Sequence, residues 1–254
     1  AQLKQINFHK NSKLEIIGNS SFASTSIESI IIPMNVRKIG YFSFYDCKKL
    51  KNIYFSENSK LSIIECCAFY NTSIEMITIP SNVTYIGKSI CEYCTKLKRI
   101  EFSQNSKLRT ICQMNFRLMN IESLSIPSNI IEYQSNFYID GHVQNISIQQ
   151  NQIANLYIYD DNFLIGKSNI NNNNFDILIY IKDKNKDELT VPSFIKKVNQ
   201  YALKYSNFQN VYFQDDSELK EISNNAFENS KIKSINIPKK VKIIESYAFS
   251  YCKK

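Results

Sequence analysis

Residues 74–94 read IEMITIPSNVTYIGKSICEYC, and residues 232–252 read IKSINIPKKVKIIESYAFSYC. Each opens on a short apolar run, ends that run in proline, passes through an isoleucine and closes on a pair of aromatic or sulfur-containing positions. Working outward, Pro33, Pro80, Pro127, Pro192 and Pro238 are all the prolines of the chain, and the first three lie 47 residues apart. They end SIESIIIP, SIEMITIP, NIESLSIP, DELTVP and KIKSINIP. A second pattern lies between them and ends in phenylalanine: LKQINF (Phe8), LKNIYF (Phe55), LKRIEF (Phe102) and FQNVYF (Phe213). The leading apolar residues Leu3, Ile27, Leu50, Ile74, Leu97 and Ile121 step by 23 or 24, and the array resumes at Phe208 and Ile232. Two unit types therefore alternate. Self-similarity at a fixed period is the mark of a solenoid.

Alternation at the end of the run predicts that Ile30 and Ile32 face one side of a strand and Ile31 the other. One such strand per coil stacks into a parallel sheet with strands ~4.8 Å apart. Proline at the end of the run cannot donate to the ladder and suits a corner. Later in each unit an aromatic or apolar column follows: Phe22, Phe44, Phe69, Cys91, Phe116, Tyr138, Leu203, Phe227 and Phe249. Three residues on comes a small or sulfur-containing column: Thr25, Cys47, Thr72, Cys94, Met119, Gly141, Ser206, Ser230 and Cys252. The segment carrying these two columns is expected to form a short helical turn packed on the core.

The pattern L-x-x-I-x-I-P-x-x-V-x-x-I-G-x-x-A-F-x-x-C resembles the leucine-rich repeats of the BspA-like surface proteins of bacteria and parasitic protists. The Ile-, Asn- and Lys-rich composition, with 39 Ile, 30 Asn and only 14 Leu, is similar to the protist branch. The resemblance implies an α/β repeat fold: a right-handed leucine-rich-repeat solenoid with a parallel β-sheet and short helical turns. It also implies a non-enzymatic module for display and binding at a cell surface or in secreted form.

The whole chain, 1–254, reads as one such array, with regular repeats over 1–142 and 187–254 and an irregular unit over 143–186. About 19 residues are inserted there. Two strand-like runs, Phe163–Lys167 and Phe175–Ile181, flank Asn171–Asn174, which predicts a β-hairpin. The chain starts inside one unit and stops where another is due, so it is expected to be a piece of a longer array. No signal peptide or apolar run of membrane-spanning length is present in the sequence.

Two outward columns run along the strands. The first reads Lys4, Glu28, Lys51, Glu75, Lys98, Glu122 and Gln144; its alternating sign keeps register through opposite-charge neighbours. The second includes Ile31, Tyr54, Glu101 and Tyr212. Together with Met76 and Arg99 on neighbouring strands these are the candidate partner-binding residues, because exposed aromatics and arginine anchor interfaces. The net charge of +8 is read first as solubility; if it marks a partner, an anionic cell-surface glycan or matrix component is the one it favours. No long Lys/Arg cluster points to nucleic acid.

Catalytic chemistry is sparsely supplied. His9 and His142 are the two histidines, and no phosphate loop or paired-acid motif stands out. Cys91 and Cys94 form a C-x-x-C, but the repeat register accounts for both, so they are expected as buried structural thiols. Of the seven cysteines, one bond among Cys66, Cys67 and Cys91 stays open. No cofactor or metal site is expected. Asn19, Asn71, Asn82 and Asn145 begin glycosylation sequons that matter only if the chain is exported. The expected function is cell-surface adhesion or host interaction; the alternative is an intracellular scaffold for a protein partner.

Overall fold

The computed structural model describes residues 3–112, 114–131, 139–149, 154–171 and 173–252. The chain divides into two compact units, 1–137 with 141–153, and 138–140 with 154–254. Of the expected columns, Tyr138 and the side chains of Phe116 and Met119 lie outside the described residues.

In the first unit the strands are β1 (Ile16–Ile17), β2 (Ser29–Ile32), β3 (Lys38–Ile39), β4 (Asn52–Phe55), β5 (Ile63–Ile64), β6 (Met76–Ile79), β7 (Tyr85–Ile86), β8 (Arg99–Phe102), β9 (Thr110–Ile111), β10 (Met114–Pro127) and nearly all of β11 (Ile139–Gln149). Each regular coil after the first supplies two strands, and the first supplies β1 alone. The longer ones, ahead of the corner, make the sheets β2-β4 and β11-β10-β8-β6. The two-residue strands after the corner stack as β1-β3-β5-β7-β9. Neighbouring coils pair in parallel, with Ile30 opposite Ile53 and Ile77 opposite Ile100. The predicted alternation holds: Ile30 and Ile32 are buried while Ile31 is 61 % exposed. Proline accepts from the amide three residues on, as from Val36 to Pro33 and from Val83 to Pro80.

The expected helical turn is corrected. Among the described residues there is no helix, and the segment carrying the aromatic column is a run of consecutive tight turns. Its backbone explains why. Amides that a helix would spend internally donate instead to the neighbouring coil: Phe42 to Cys66, Phe44 to Ala68 and Asp46 to Tyr70, at 3.2, 2.8 and 2.9 Å. The residues two before and two after the aromatic position adopt positive φ. Ser20 and Ser24, Cys67 and Asn71, and Asn225 and Asn229 are examples. An α-helix cannot pass through two left-handed residues four apart. At the fifth coil Met114 and Leu118 occupy those two positions, and the chain runs extended through β10 instead.

The turns bury Phe44 and Phe69 completely, with Phe22, Phe44 and Phe69 stacked at centroid spacings of 5.3 and 5.6 Å. At the end of β7, Gly87 sits so close to the preceding coil that a Cβ there would lie 2.4 Å from the Cys66 backbone nitrogen.

The second unit contains β12 (Leu156–Tyr159), β13 (Phe163–Lys167), β14 (Phe175–Ile181), β15 (Glu188–Val191), β16 (Lys197–Val198), β17 (Asn210–Phe213), β18 (Glu221–Ile222), β19 (Ser234–Ile235) and β20 (Ile243–Ile244). The expected hairpin is β13–β14, antiparallel across a connection that includes Asn171, Asn173 and Asn174; Asn172 lies outside the described residues. A further strand precedes it. β12 pairs antiparallel with β13 through Asp160 and Asp161, both at positive φ, the backbone of a type I′ turn. This meander becomes the start of the coil array when β14 pairs in parallel with β16, giving the order β12-β13-β14-β16-β18-β20. The strands β15-β17-β19 form the other sheet of this unit. Leu178, Val198, Leu203, Phe208, Leu219, Ile222 and Phe227 make its core.

One polar cluster sits beside the first unit's two-residue strands. Glu65, with 10 % of its side chain exposed, is paired with Lys38 Nζ at 2.7 Å and hydrogen-bonded to Tyr41. That contact holds Lys38 above its ordinary pKa of 10.5 and Tyr41 above 10.0.

Three outcomes follow for solution stability. Phe69→Ala should cost ~3–5 kcal/mol by chemical denaturation, and a variant that unfolds with the parent would contradict the stacked column. Gly87→Ala should cost ~1–3 kcal/mol, because backbone rather than a flexible side chain must move. Raised folded pKa values at Lys38 and Tyr41 stabilise fully below their ordinary values, and that stabilisation is lost as pH rises through the folded ones. Melting temperature should therefore fall more steeply above pH ~10 in the parent than in Glu65→Gln.

Candidate functional site

The alternation that buries Ile30, Ile53, Ile77 and Ile100 turns the residues between them outward. Ile31, Tyr54 and Met76 are 61, 55 and 49 % exposed, unusual for large apolar side chains. Ile31 stands opposite Tyr54 in register, Met76 opposite Arg99, and Thr78 opposite Glu101. Five of the six predicted residues thus share one face of the first unit. Tyr212 belongs to β17 of the second unit, where its hydroxyl donates to Glu188 Oε1 at 3.1 Å. That bond favours the protonated phenol and raises its pKa.

Over β4 and β6 the face is hollowed into an open depression of about 750 Å³, lined among others by Asn52, Tyr54, Met76, Thr78 and Asn82. A second, of about 800 Å³, surrounds Ile31 and Met34 and reaches Lys4, Phe8 and Glu57. Both are lined by apolar, amide and charged side chains together, the mixture a binding surface needs. The alternating charge column runs beside them. Its register is visible in the backbone, where Lys51 N donates to Glu28 O, Lys98 N to Glu75 O and Glu122 N to Lys98 O. Lys98 and Glu122 also form an ion pair at 3.0 Å.

A second exposed group lies on the turns and was not expected. Tyr45 stacks on Tyr70 at 5.0 Å, Tyr70 contacts Tyr93 at 5.2 Å, and Phe42 meets Tyr45 edge-on at 5.5 Å. The sequence signal was the aromatic immediately after the Phe column, in Phe44-Tyr45 and Phe69-Tyr70.

The column of small and sulfur-containing residues has a specific job. In three places a Phe-type coil offers a hydroxyl and the next Pro-type coil a thiol. Thr25 meets Cys47 at 3.3 Å, Thr72 meets Cys94 at 3.1 Å and Ser230 meets Cys252 at 3.4 Å. Each thiol also donates to the carbonyl of Phe22, Phe69 or Phe227. All seven cysteines are free, and Cys91 and Cys94 are both buried. Their mutual hydrogen bond, together with burial, holds the Cys91 thiol well above its ordinary pKa, while against burial the same bond and that from Thr72 bring Cys94 below its own, so Cys94 is shielded by its burial alone. Burial pushes Cys67 up to about 11. A thiol kept protonated is a poor nucleophile and metal ligand. Among the described residues no group of three or more His, Cys, Asp or Glu is placed to hold a metal ion. At pH 8, iodoacetamide should leave Cys47, Cys67 and Cys91 unmodified in the native chain and alkylate them once it is unfolded. Rapid native labelling at Cys91 or Cys94, read by peptide mass spectrometry, would overturn their structural assignment.

The BspA type leucine rich repeat region is matched in six copies, over residues 15–144, 62–186 and 168–254. No protein of curated function matches the sequence. Among solved structures, the pneumococcal vaccine antigen PcpA is similar with a TM-score of 0.72 and 23 % identity, over 90 % of this chain and 57 % of that one. A leucine-rich repeat protein from Eubacterium ventriosum is similar with a TM-score of 0.58 and 20 % identity, over 95 % of this chain and 56 % of that one. A leucine rich cell surface protein from Faecalibacterium prausnitzii follows at 0.56 and 19 %, covering 94 % and 75 %. The chain thus spans less than two thirds of the first two, and the likeness at these identities is one of fold. With its repeats, parallel coils and matched segments together, the chain belongs to the BspA type leucine rich repeat family.

Proposed function

We propose that this chain is a non-enzymatic binding module of a cell surface, which engages an extracellular protein or an anionic glycan or matrix ligand. The observation that carries the reading is the outward face of β2, β4, β6 and β8. There Ile31, Tyr54 and Met76 stay exposed beside Arg99 and Glu101, although the fold needs none of them for its core. Large apolar side chains in register on a rigid sheet, rimmed by charge, cost little conformational entropy on binding and supply hot-spot contacts. Likeness of fold to a leucine rich cell surface protein from Faecalibacterium prausnitzii supports the location.

The binding reading is tested by a screen of matrix proteins and glycans, followed by Tyr54→Ser and Tyr212→Ser against the ligand found. Loss of Tyr54 should weaken binding by about 10-fold or more, the scale of a hot-spot aromatic. Unchanged affinity in both variants would sink the sheet-face assignment. The location is tested by surface labelling of intact cells that express the protein; protein confined to the interior would count decisively against it.

A further inference from the structure

The corner between the two strands of each coil carries a row of cations in the first unit that the fold holds in place without neutralising. The Phe-type corner NSKL puts Lys13, Lys60 and Lys107 at 47-residue intervals, and the Pro-type corners between them carry Asn35, Asn82 and Asn129. Lys60 N donates to Met34 O at 2.9 Å while its Nζ donates to Asn35 Oδ1 at 2.9 Å. Lys107 repeats this, with N on Ser81 O at 2.8 Å and Nζ on Asn82 Oδ1 at 2.9 Å. The asparagines are fixed from behind, since Asn35 and Asn82 donate to the carbonyls of Ser12 and Ser59. Two residues further along the coil runs a second column. It is aligned by Arg37 N on Glu15 O, Ser62 N on Arg37 O, Thr84 N on Ser62 O and Arg109 N on Thr84 O. The intervening Val36, Leu61, Val83 and Leu108 are buried, so both columns face outward.

Lys13, Arg37, Lys60, Lys107 and Arg109 are all exposed. Among the described residues no carboxylate lies within ion-pair distance of any of them. The second unit builds the same corner differently. Glu218 takes the lysine position, Lys240 takes the asparagine position, and the two form an ion pair. Lys196 is likewise paired with Asp176, and Lys197 with Glu221. A lysine anchored on a neutral amide has already lost much of its rotamer freedom while keeping its full charge. That is preorganisation for an anion.

We infer that this corner of the first unit binds a linear acidic polysaccharide. The inference rests on the reading of the chain as a binding module and names a ligand class and a second surface for it. Equivalent lysines recur every two coils, ~9.6 Å by strand spacing. Between them Ser62 and Thr84, whose hydroxyls donate to the Arg37 and Ser62 carbonyls, keep oxygen lone pairs for a ligand hydroxyl, and Glu15 is the one carboxylate of the second column; such sparse charge suits a polymer with many hydroxyls. Nucleic acid fits worse: its phosphates follow each other every ~3.4 Å along a strand. Single strands also need aromatic stacking platforms, and neither column contains an aromatic residue.

The test is titration of the whole chain with a size-defined heparin oligosaccharide at several salt concentrations, with oligo-dT and phosphatidylserine vesicles in parallel. The parent should bind heparin most tightly. K13Q/K60Q/K107Q should weaken binding by about tenfold and flatten its salt dependence. K60R/K107R should retain it. K49Q/K88Q/K96Q removes the same charge from exposed turns of the same unit, outside both proposed surfaces, and should change heparin affinity by no more than about twofold. Melting curves of each variant separate lost binding from lost folding. Absence of heparin binding, equal losses in the two triple-glutamine variants, or tighter binding to oligo-dT or vesicles would overturn the corner assignment. The sheet-face reading is decided separately, by Tyr54→Ser against its own ligand.

Discussion

Every coil in this protein is finished by its neighbour. The amides of a regular coil donate to the preceding coil beside the strand, at the corner and beside the two-residue strand, and to the following coil through the turns. Unpaired buried amides are costly, so no coil can leave the stack, or change its spacing, without orphaning a row of donors and acceptors. This single ladder explains features that look unrelated. It demands glycine where Gly87 lies against the backbone of the coil before it. It forces like side chains into columns, which is why the buried phenylalanines stack face to face. It also leaves the small residue of the turn facing the equivalent residue of the next coil, where alternating hydroxyl and thiol satisfy each other.

The same ladder decides what could be read from the residues alone. Period, alternation of unit types, strand faces and the β13–β14 hairpin were legible, because each depends on apolar spacing or on an obvious turn tract. The helical turn was misjudged because A-F-x-x-C has the spacing of a helix face, while the hydrogen-bonding destination of its amides is a property of the stack. The left-handed residues flanking Phe44 are Phe42 and Asp46, and those flanking Leu203 are Tyr201 and Tyr205. Aromatic residues at such positions give no turn signal. The β12–β13 hairpin was missed for a related reason: Asp160-Asp161 lacks the glycine that usually betrays a type I′ turn. Among candidate site residues, the register of Ile31 with Tyr54 and of Met76 with Arg99 follows from the period. That Tyr212 falls in a different compact unit does not.

Function separates from fold along the pleat. Inward positions are fully committed: Ile, Leu and Phe there are interchangeable only within tight volume limits. Outward positions carry no such duty. The array places both hydrophobic anchors and charge on them, on surfaces whose backbone is already rigid. The two-type alternation adds a constraint of its own, since chemistry written into one unit type recurs every second coil. On the sheet face that alternation pairs Lys with Glu and largely cancels. At the corner it pairs Lys with Asn, which orients Lys60 and Lys107 without cancelling their charge. The second unit shows that the corner tolerates full neutralisation, because Glu218 there pairs with Lys240 of the following coil. Retention of bare cations in the first unit is therefore not required by the packing of the corner, and its explanation has to be sought in what the corner touches.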